Sequence, residues 1–332
     1  MKIAYLGAGA WGFCLANLLA EKGYDVVLST KRAALVETLM KGDAHPKLPG
    51  HKPSKNLTVT TDLKKALEGA DFMVESVTSK GLRPTLEKVK ETGLDVPPLV
   101  LTSKGIEQDT CLLMSEVVTE IFGEGYRKKL GSLSGPSLAS EVMRKLPTSV
   151  VASSYDPGLA MQIVDLFSTP CFRVYPNEDV AGVSFGGAMK NIIAIACAIA
   201  DGLGFGENTR AALMTRGLHE IRKLSVAKGC RPESLNGLSG MGDLCATCLS
   251  TLSRNYIFGK LLAEGLSPDE AREKIGMVVE GAYTCVSALQ LSRKANIPVP
   301  ITEAVYSIIY EGLSPKEAVE ALLTRAIKQE HL

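Results

Sequence analysis

Residues 186–202 read GGAMKNIIAIACAIADG, and Lys190 is the one cation in that run. An isolated buried charge is costly, so such a lysine is paired, neutralised or used. The alternative is that it snorkels, laying its stem along the core with the ammonium in water. A second reactive stretch is NGLSGMGDLCATCLSTLSRN at 236–255, where glycines 237, 240 and 242 lead into Asp243. Ser253 is spaced there as an N-cap, which puts Arg254 and Asn255 in the first turn of a helix. Backbone N–H groups, the helix dipole and a guanidinium converge at such a point, and that is the chemistry of an anion site. A third stretch opens the chain: KIAYLG runs into GAGAWG, with Gly7, Gly9 and Gly12 followed by a helical pattern and then YDVVLST.

That order of strand, G-x-G-x-x-G, helix and strand is the context in which a dinucleotide is bound. Gly7 permits the tight turn, Gly9 lets backbone approach a pyrophosphate, and Gly12 lets the helix pack closely on the strand. Ala10, Trp11 and Gly12 then open the helix whose N-terminal N–H groups face the phosphates. An NAD-specific site usually has an acid at the end of the second strand, to hold the ribose 2′-hydroxyl. Lys31 and Arg32 stand here instead, and two cations suit a 2′-phosphate, so NADP is expected in preference to NAD.

The elements that must position these groups alternate through the first half. Strands are expected at 70–77, 98–103, 129–135, 148–153 and 171–175, with helical patterns such as 111–123 between them. An open, mostly parallel, doubly wound sheet with helices on both faces follows. Ligands in such a sheet gather outside the carboxyl ends of the strands. SKGIE, carrying Lys104, and SGPSLA, with a turn at Gly135-Pro136, lie there. Ser137 is expected to cap the helix that follows, and its hydroxyl would also face the crevice. Beyond YPNEDVAG the pattern is helical throughout, including two helices that open alike as GLSPDEA and GLSPKEA. The expected domains are 1–178, binding dinucleotide in a Rossmann-type fold, and 179–332, all helical.

Composition narrows the function. A net charge of +1 argues against nucleic acid or an anionic membrane surface as the main partner. The longest apolar run, Ile192–Ala200, lies between Lys190 and Asp201 and falls short of the roughly 20 residues of a spanning helix. No secretory leader is read, because the chain starts MKIAYLGAGA and enters a strand at once. The 8 cysteines do not form a disulfide framework, which points to a reducing cytosol and a cytoplasmic protein. Cys245 and Cys248 form a lone C-x-x-C with no second pair and no nearby histidine, so no metal is expected. Apolar helices in the second half lead to an expected homodimer.

The motifs GAGAWG, SKGIE, SGPSLASEV, GGAMKNIIAI, GMGDL, SRN and VVEG occur in that order over nearly the whole chain. In this the sequence resembles the NAD(P)-dependent glycerol-3-phosphate dehydrogenases of the bacterial biosynthetic type. The resemblance implies reversible reduction of dihydroxyacetone phosphate, a triose phosphate, to sn-glycerol 3-phosphate, supplying phospholipid synthesis. It implies that Lys190 exchanges a proton with the carbonyl oxygen and that Lys104 and Asp243 line the same pocket. Arg254 and Asn255 would hold the substrate phosphate, with Gly135, Ser137 and Ser253 as further substrate contacts. Trp11, Arg32, Lys104, Ala139, Arg254, Val278 and Glu280 would touch the cofactor. Gly186 and Gly187, one turn before Lys190, would leave room for substrate.

The pair Lys190-Asn191 is shared with 6-phosphogluconate and 3-hydroxyacid dehydrogenases, whereas GMGDL followed by SRN favours the glycerol-3-phosphate type. A nucleotide sensor without turnover would be expected to lose Lys190 or Asp243. The sequence departs from the family pattern at Thr78, where proline is common, at Leu138, where phenylalanine is usual, and at Phe13-Cys14 after the glycine turn.

Overall fold

The computed structural model describes residues 1–326 and 329. The chain divides into two compact units, one formed by Met1–Ser103 with Met114–Val180 and the other by Lys104–Leu113 with Ala181–Leu332.

The first unit is an eight-stranded sheet wound with helices. Its elements run β1 (Lys2–Leu6), α1 (Ala10–Glu21), β2 (Asp25–Ser29), α2 (Ala33–Met40), β3 (Leu57–Thr60), α3 (Leu63–Leu67), β4 (Phe72–Glu75) and α4 (Ser79–Glu91). They continue with β5 (Leu99–Leu101), α5 (Met114–Phe122), β6 (Leu130–Ser134), α6 (Ala139–Met143), β7 (Thr148–Ser154), α7 (Pro157–Phe167) and β8 (Phe172–Asn177). Strand order is β3-β2-β1-β4-β5-β6-β7-β8, parallel throughout except between β6 and β7. The Rossmann-type arrangement is therefore present, with β1 central because its residues Ile3–Leu6 are buried on both faces. Strand β3 was not anticipated. Its four residues LTVT alternate between buried and half-buried at the sheet edge, a signal too short to stand out after a long polar loop.

The carboxyl ends of β4 and β5 are tied together by Glu75, which has no exposed surface. Its carboxylate accepts from the backbone N–H groups of Val77, Thr102 and Ser103 and from the Ser103 hydroxyl. Burial pushes its pKa up, and those four donors oppose the shift.

The second unit is helical: α8 (Val180–Gly202), α9 (Glu207–Val226), α10 (Asp243–Leu249), α11 (Arg254–Ala263), α12 (Pro268–Ile275), α13 (Glu280–Ala295), α14 (Pro300–Tyr310) and α15 (Pro315–Leu323). Its core gathers around α8, whose residues Ile192–Ile195 are wholly buried. By length and composition α8 could cross a membrane, which the short run 192–200 did not suggest. Yet 89% of its most apolar window is buried inside the protein, so it serves as the core helix. The two GLSP openings form complete capping boxes, Ser267 with Glu270 and Ser314 with Glu317.

The expected division at 178/179 assigned residues 104–113 to the first domain, and the structure corrects this. Ile106, Cys111 and Leu113 are buried in the core of the helical unit, so the segment belongs there by packing. An excursion of ten residues carries no hydrophobic period of its own, and only its burial reveals its allegiance.

Candidate active site

Lys190 sits in the middle of α8 with 8% of its surface exposed. Its ammonium does not snorkel. Nζ donates to Asp243 Oδ1 and, at 2.8 Å, to Thr247 Oγ1. Asp243 and Thr247 lie one turn apart on α10, and the Thr247 hydroxyl donates back to the Asp243 carbonyl at 2.7 Å. Burial pushes the Lys190 pKa down to about 8; the Asp243 carboxylate opposes the shift and the Lys104 ammonium adds to it. Of three ammonium protons, the two bonds to Asp243 and Thr247 leave one for a further acceptor.

The second oxygen of Asp243 accepts from Lys104 Nζ at 2.6 Å. Two ammonium groups therefore share one carboxylate, and the cluster carries a net positive charge. Asp243 has 1% exposure, while the Lys104 side chain keeps 19%. Such a partly desolvated excess of positive charge suits a substrate group that gains negative charge as it reacts.

The approach of Asp243 to Lys190 depends on Gly186. A Cβ there would stand 2.7 Å from the Ser239 carbonyl oxygen and 3.1 Å from Gly240 Cα. Residues 238–242 form a π turn leading directly into α10, and that turn presses on α8 at Gly186. The expectation that Gly186 leaves space for substrate is thus corrected: backbone of the π turn fills it, and Asp243 is brought in as a result.

Ser253 caps α11 as expected, its hydroxyl accepting from Tyr256 N–H at 3.4 Å. Arg254 is exposed and donates through Nη1 to the Val278 carbonyl at 2.9 Å, which joins two expected contacts. Asn255 is placed differently. Its amide is buried, donating to Asn191 Oδ1 at 2.9 Å and accepting from Gly281 N–H at 2.9 Å. The side chain locks α11 to α8 and α13, so what Asn255 offers an anion is its backbone N–H in the first turn. Glu280 opens α13 beside this lock.

The remaining expected residues lie in the first unit. Gly7 has φ +100°, and a Cβ on it would meet the Ser76 carbonyl oxygen at 2.7 Å. A Cβ on Gly12 would lie 1.9 Å from the Gly7 carbonyl oxygen, so the helix touches the turn. A Cβ on Gly9 would meet nothing within 4 Å, and no side chain caps α1. The N–H groups of Ala10, Trp11 and Gly12 are thus presented at an uncapped, open helix end, which fits a pyrophosphate. Arg32 Nη2 donates to the Ala8 carbonyl of the same turn, and Lys31 is exposed next to it.

The departure at Phe13 is absorbed here. Its ring stacks on His45 at 4.9 Å, and His45 Nε2 is 3.3 Å from the Ala8 carbonyl oxygen. Burial lowers the His45 pKa, and with Nδ1 accepting from Lys47 N–H the proton is assigned to Nε2. Thr78 in place of proline caps α4, accepting from Gly81 N–H at 3.2 Å. Ala139 begins α6, and its carbonyl oxygen is 3.6 Å from Cys14 Sγ, so Cys14 is used in packing α1 on α6. Ser137 is not the cap that spacing suggested. Leu138 holds the N-cap position, and the Ser137 hydroxyl donates to the Gly135 carbonyl at 3.0 Å, closing the turn. Cys245 and Cys248 are free thiols, and no group of residues able to hold a metal occurs among the described residues.

Thr247 was missed by sequence reasoning, and Asn191 was noted only as the neighbour of Lys190. Thr247 could have been found from its spacing of four from Asp243. Neither spacing shows which partner the side chain meets.

Comparison with known proteins matches one family along nearly the whole chain. A family model for the N-terminus of NAD-dependent glycerol-3-phosphate dehydrogenase matches residues 2–160, and one for its C-terminus matches 179–320. A glycerol-3-phosphate dehydrogenase [NAD(P)+] of Protochlamydia amoebophila is 59% identical over 331 residues, covering 100% of this chain and 99% of the relative. One from Chlamydia muridarum is 54% identical, covering 99% of each. The crystal structure of a glycerol-3-phosphate dehydrogenase from Coxiella burnetii superposes with a TM-score of 0.93 at 38% identity, covering 98% of this chain and 99% of that one.

Proposed function

The chain belongs to the NAD-dependent glycerol-3-phosphate dehydrogenase family, and from that premise we propose that it reduces dihydroxyacetone phosphate reversibly to sn-glycerol 3-phosphate. The observation that carries the mechanism is the buried Lys190 ammonium with two bonds to α10 and one proton left to give. A nicotinamide cofactor supplies the hydride when bound. Negative charge then develops on the substrate's carbonyl oxygen, and Lys190 stabilises it and delivers the proton. Asp243 orients the ammonium and Thr247 fixes its direction. Lys104 adds the positive charge that draws in a dianionic substrate. The phosphate is held at the α11 N-terminus by the Arg254 guanidinium and the N–H groups next to Ser253. Gly135 and Ser137 contribute further substrate contacts, and Val278 and Glu280 cofactor contacts.

NADPH is the preferred reductant in this reading, because Lys31 and Arg32 replace the acid that would hold a ribose 2′-hydroxyl. NADH is also accepted. The direction is reductive, feeding phospholipid synthesis in the cytoplasm, and the assembly is a homodimer. The test follows loss of reduced cofactor with dihydroxyacetone phosphate, running NADPH and NADH in parallel. Turnover with both, faster with NADPH, is the expected result. A strong NADH preference would overturn the role given to Lys31 and Arg32. Cofactor binding without turnover on either would overturn the reaction.

A further inference from the structure

We propose that Ser287 and Gln290 of α13 are positioning residues for Lys104, seating the loop 104–113 so that its first ammonium stays on Asp243. The inference rests on the reading of Lys104 as a substrate-binding cation. The loop is strained: Asp109 and Cys111 have φ of +68° and +59°, a left-handed conformation that residues other than glycine rarely adopt. Strain of this kind persists where surrounding contacts over-determine the backbone, and α13 supplies a row of such contacts.

Tyr283, Ser287, Gln290 and Lys294 are spaced 4, 3 and 4 residues apart on α13, which aligns them as one stripe. Each meets the loop. Gln108 Nε2 donates to the Tyr283 carbonyl at 3.0 Å, and the Ser287 hydroxyl donates to the Ile106 carbonyl at 2.8 Å. Gln290 and Asp109 form a reciprocal pair: Asp109 N–H donates to Gln290 Oε1 at 2.9 Å, and Gln290 Nε2 donates to Asp109 Oδ1 at 3.1 Å. Lys294 Nζ reaches the Asp109 carbonyl at 3.1 Å. Within the loop, Ile106 bridges Leu113 and Glu107 N–H donates to the Leu112 carbonyl, so the turn moves as a piece.

Ser287, itself wholly buried, anchors that piece from inside through Ile106, two residues from Lys104, and Gln290 holds its strained tip from the rim. The arrangement fixes where the Lys104 backbone starts, and a lysine has several rotatable bonds to restrain beyond that point. Around Lys190 the facing groups are Asp243 and Thr247, with Lys104 and Cys248 nearby. Loosening the loop therefore removes one cation from that set and leaves Asp243 to Lys190.

The experiment compares Gln290→Ala, Ser287→Ala and Lys104→Ala with a control, Arg293→Ala, an exposed residue of the same helix outside the stripe. In the two α13 variants the KM for dihydroxyacetone phosphate rises by roughly tenfold, the size of a moderate coupling energy, while the cofactor KM stays put. The alkaline limb of their pH–rate profiles moves to higher pH, because Lys190 holds its proton more tightly. Adding Gln290→Ala to Lys104→Ala has no further effect.

Unchanged KM and pH limb in both α13 variants, with a raised KM in Lys104→Ala, would overturn the positioning role alone. An additive double variant would overturn it too. An unchanged KM in Lys104→Ala would overturn the reading of Lys104 itself. Should Ser287→Ala fail to fold, the rim residue Gln290 still decides the matter.

Discussion

The proposed mechanism concentrates the chemistry in one nitrogen. Lys190 has a pKa pushed down to about 8 by burial, and Asp243 is what keeps it from falling further. Replacing that carboxylate has a calculable sign. In Asp243→Asn the raising influence is lost and the neighbouring Lys104 charge is uncompensated, so Lys190 loses its proton at lower pH. In the proposed mechanism reduction needs the protonated amine, hence the alkaline limb of kcat is expected to move to lower pH and kcat to fall by about two orders of magnitude. A limb that stays in place would show that Asp243 does not act through Lys190. Lys190→Ala abolishes turnover while NADPH still binds, which the single tryptophan, Trp11, reports through its fluorescence in the glycine turn. Equal loss of both signals would make Lys190 a structural residue.

At the scale of elements, two contacts between helices set the site. The lock of Asn255 on Asn191 and Gly281 joins α11, α8 and α13, and the contact at Gly186 brings the π turn onto α8. The second contact admits a sharp test. A methyl group at 186 would lie 2.7 Å from a backbone oxygen, and backbone cannot step aside cheaply. Gly186→Ala is expected to cost about 1–3 kcal/mol of stability through overpacking and to displace Asp243 from Lys190. Thermal melting and kcat should fall together, with the KM for cofactor unchanged. Wild-type kcat in a folded Gly186→Ala enzyme would mean that α10 is positioned by other contacts.

The whole molecule is two units that do not follow the order of the chain. The sheet unit is interrupted by residues 104–113, whose apolar members Ile106, Cys111 and Leu113 are buried in the helical core. A fragment of residues 1–178 would carry those side chains without the core that covers them. Its soluble yield should therefore be low, and replacing 104–113 with a Gly/Ser linker of the same length should raise the yield and retain NADPH binding. Equal yields for the two fragments would show that the excursion is not bound to the helical core by its apolar residues.

What the sequence determined by itself was whatever is encoded locally. The glycine turn reads directly because Gly7 takes a positive φ and Gly12 has no room for a Cβ, and the N-caps at Ser253, Ser267 and Ser314 read because capping acts over three residues. Lys190 stood out because a cation is rare in an apolar helix. Only the tertiary structure decided which groups these residues meet. Ser137 has the right type and spacing for a cap, yet its hydroxyl closes the turn on Gly135; Asn255 lies in an anion-binding first turn, yet its amide is used between helices. Thr247, Asn191 and the α13 stripe acquire meaning from partners dozens of residues away or more, and a hydrogen bond across such a distance leaves no periodic trace in the chain. The allegiance of 104–113 is of the same kind, since burial is a property of the packed molecule and not of ten residues.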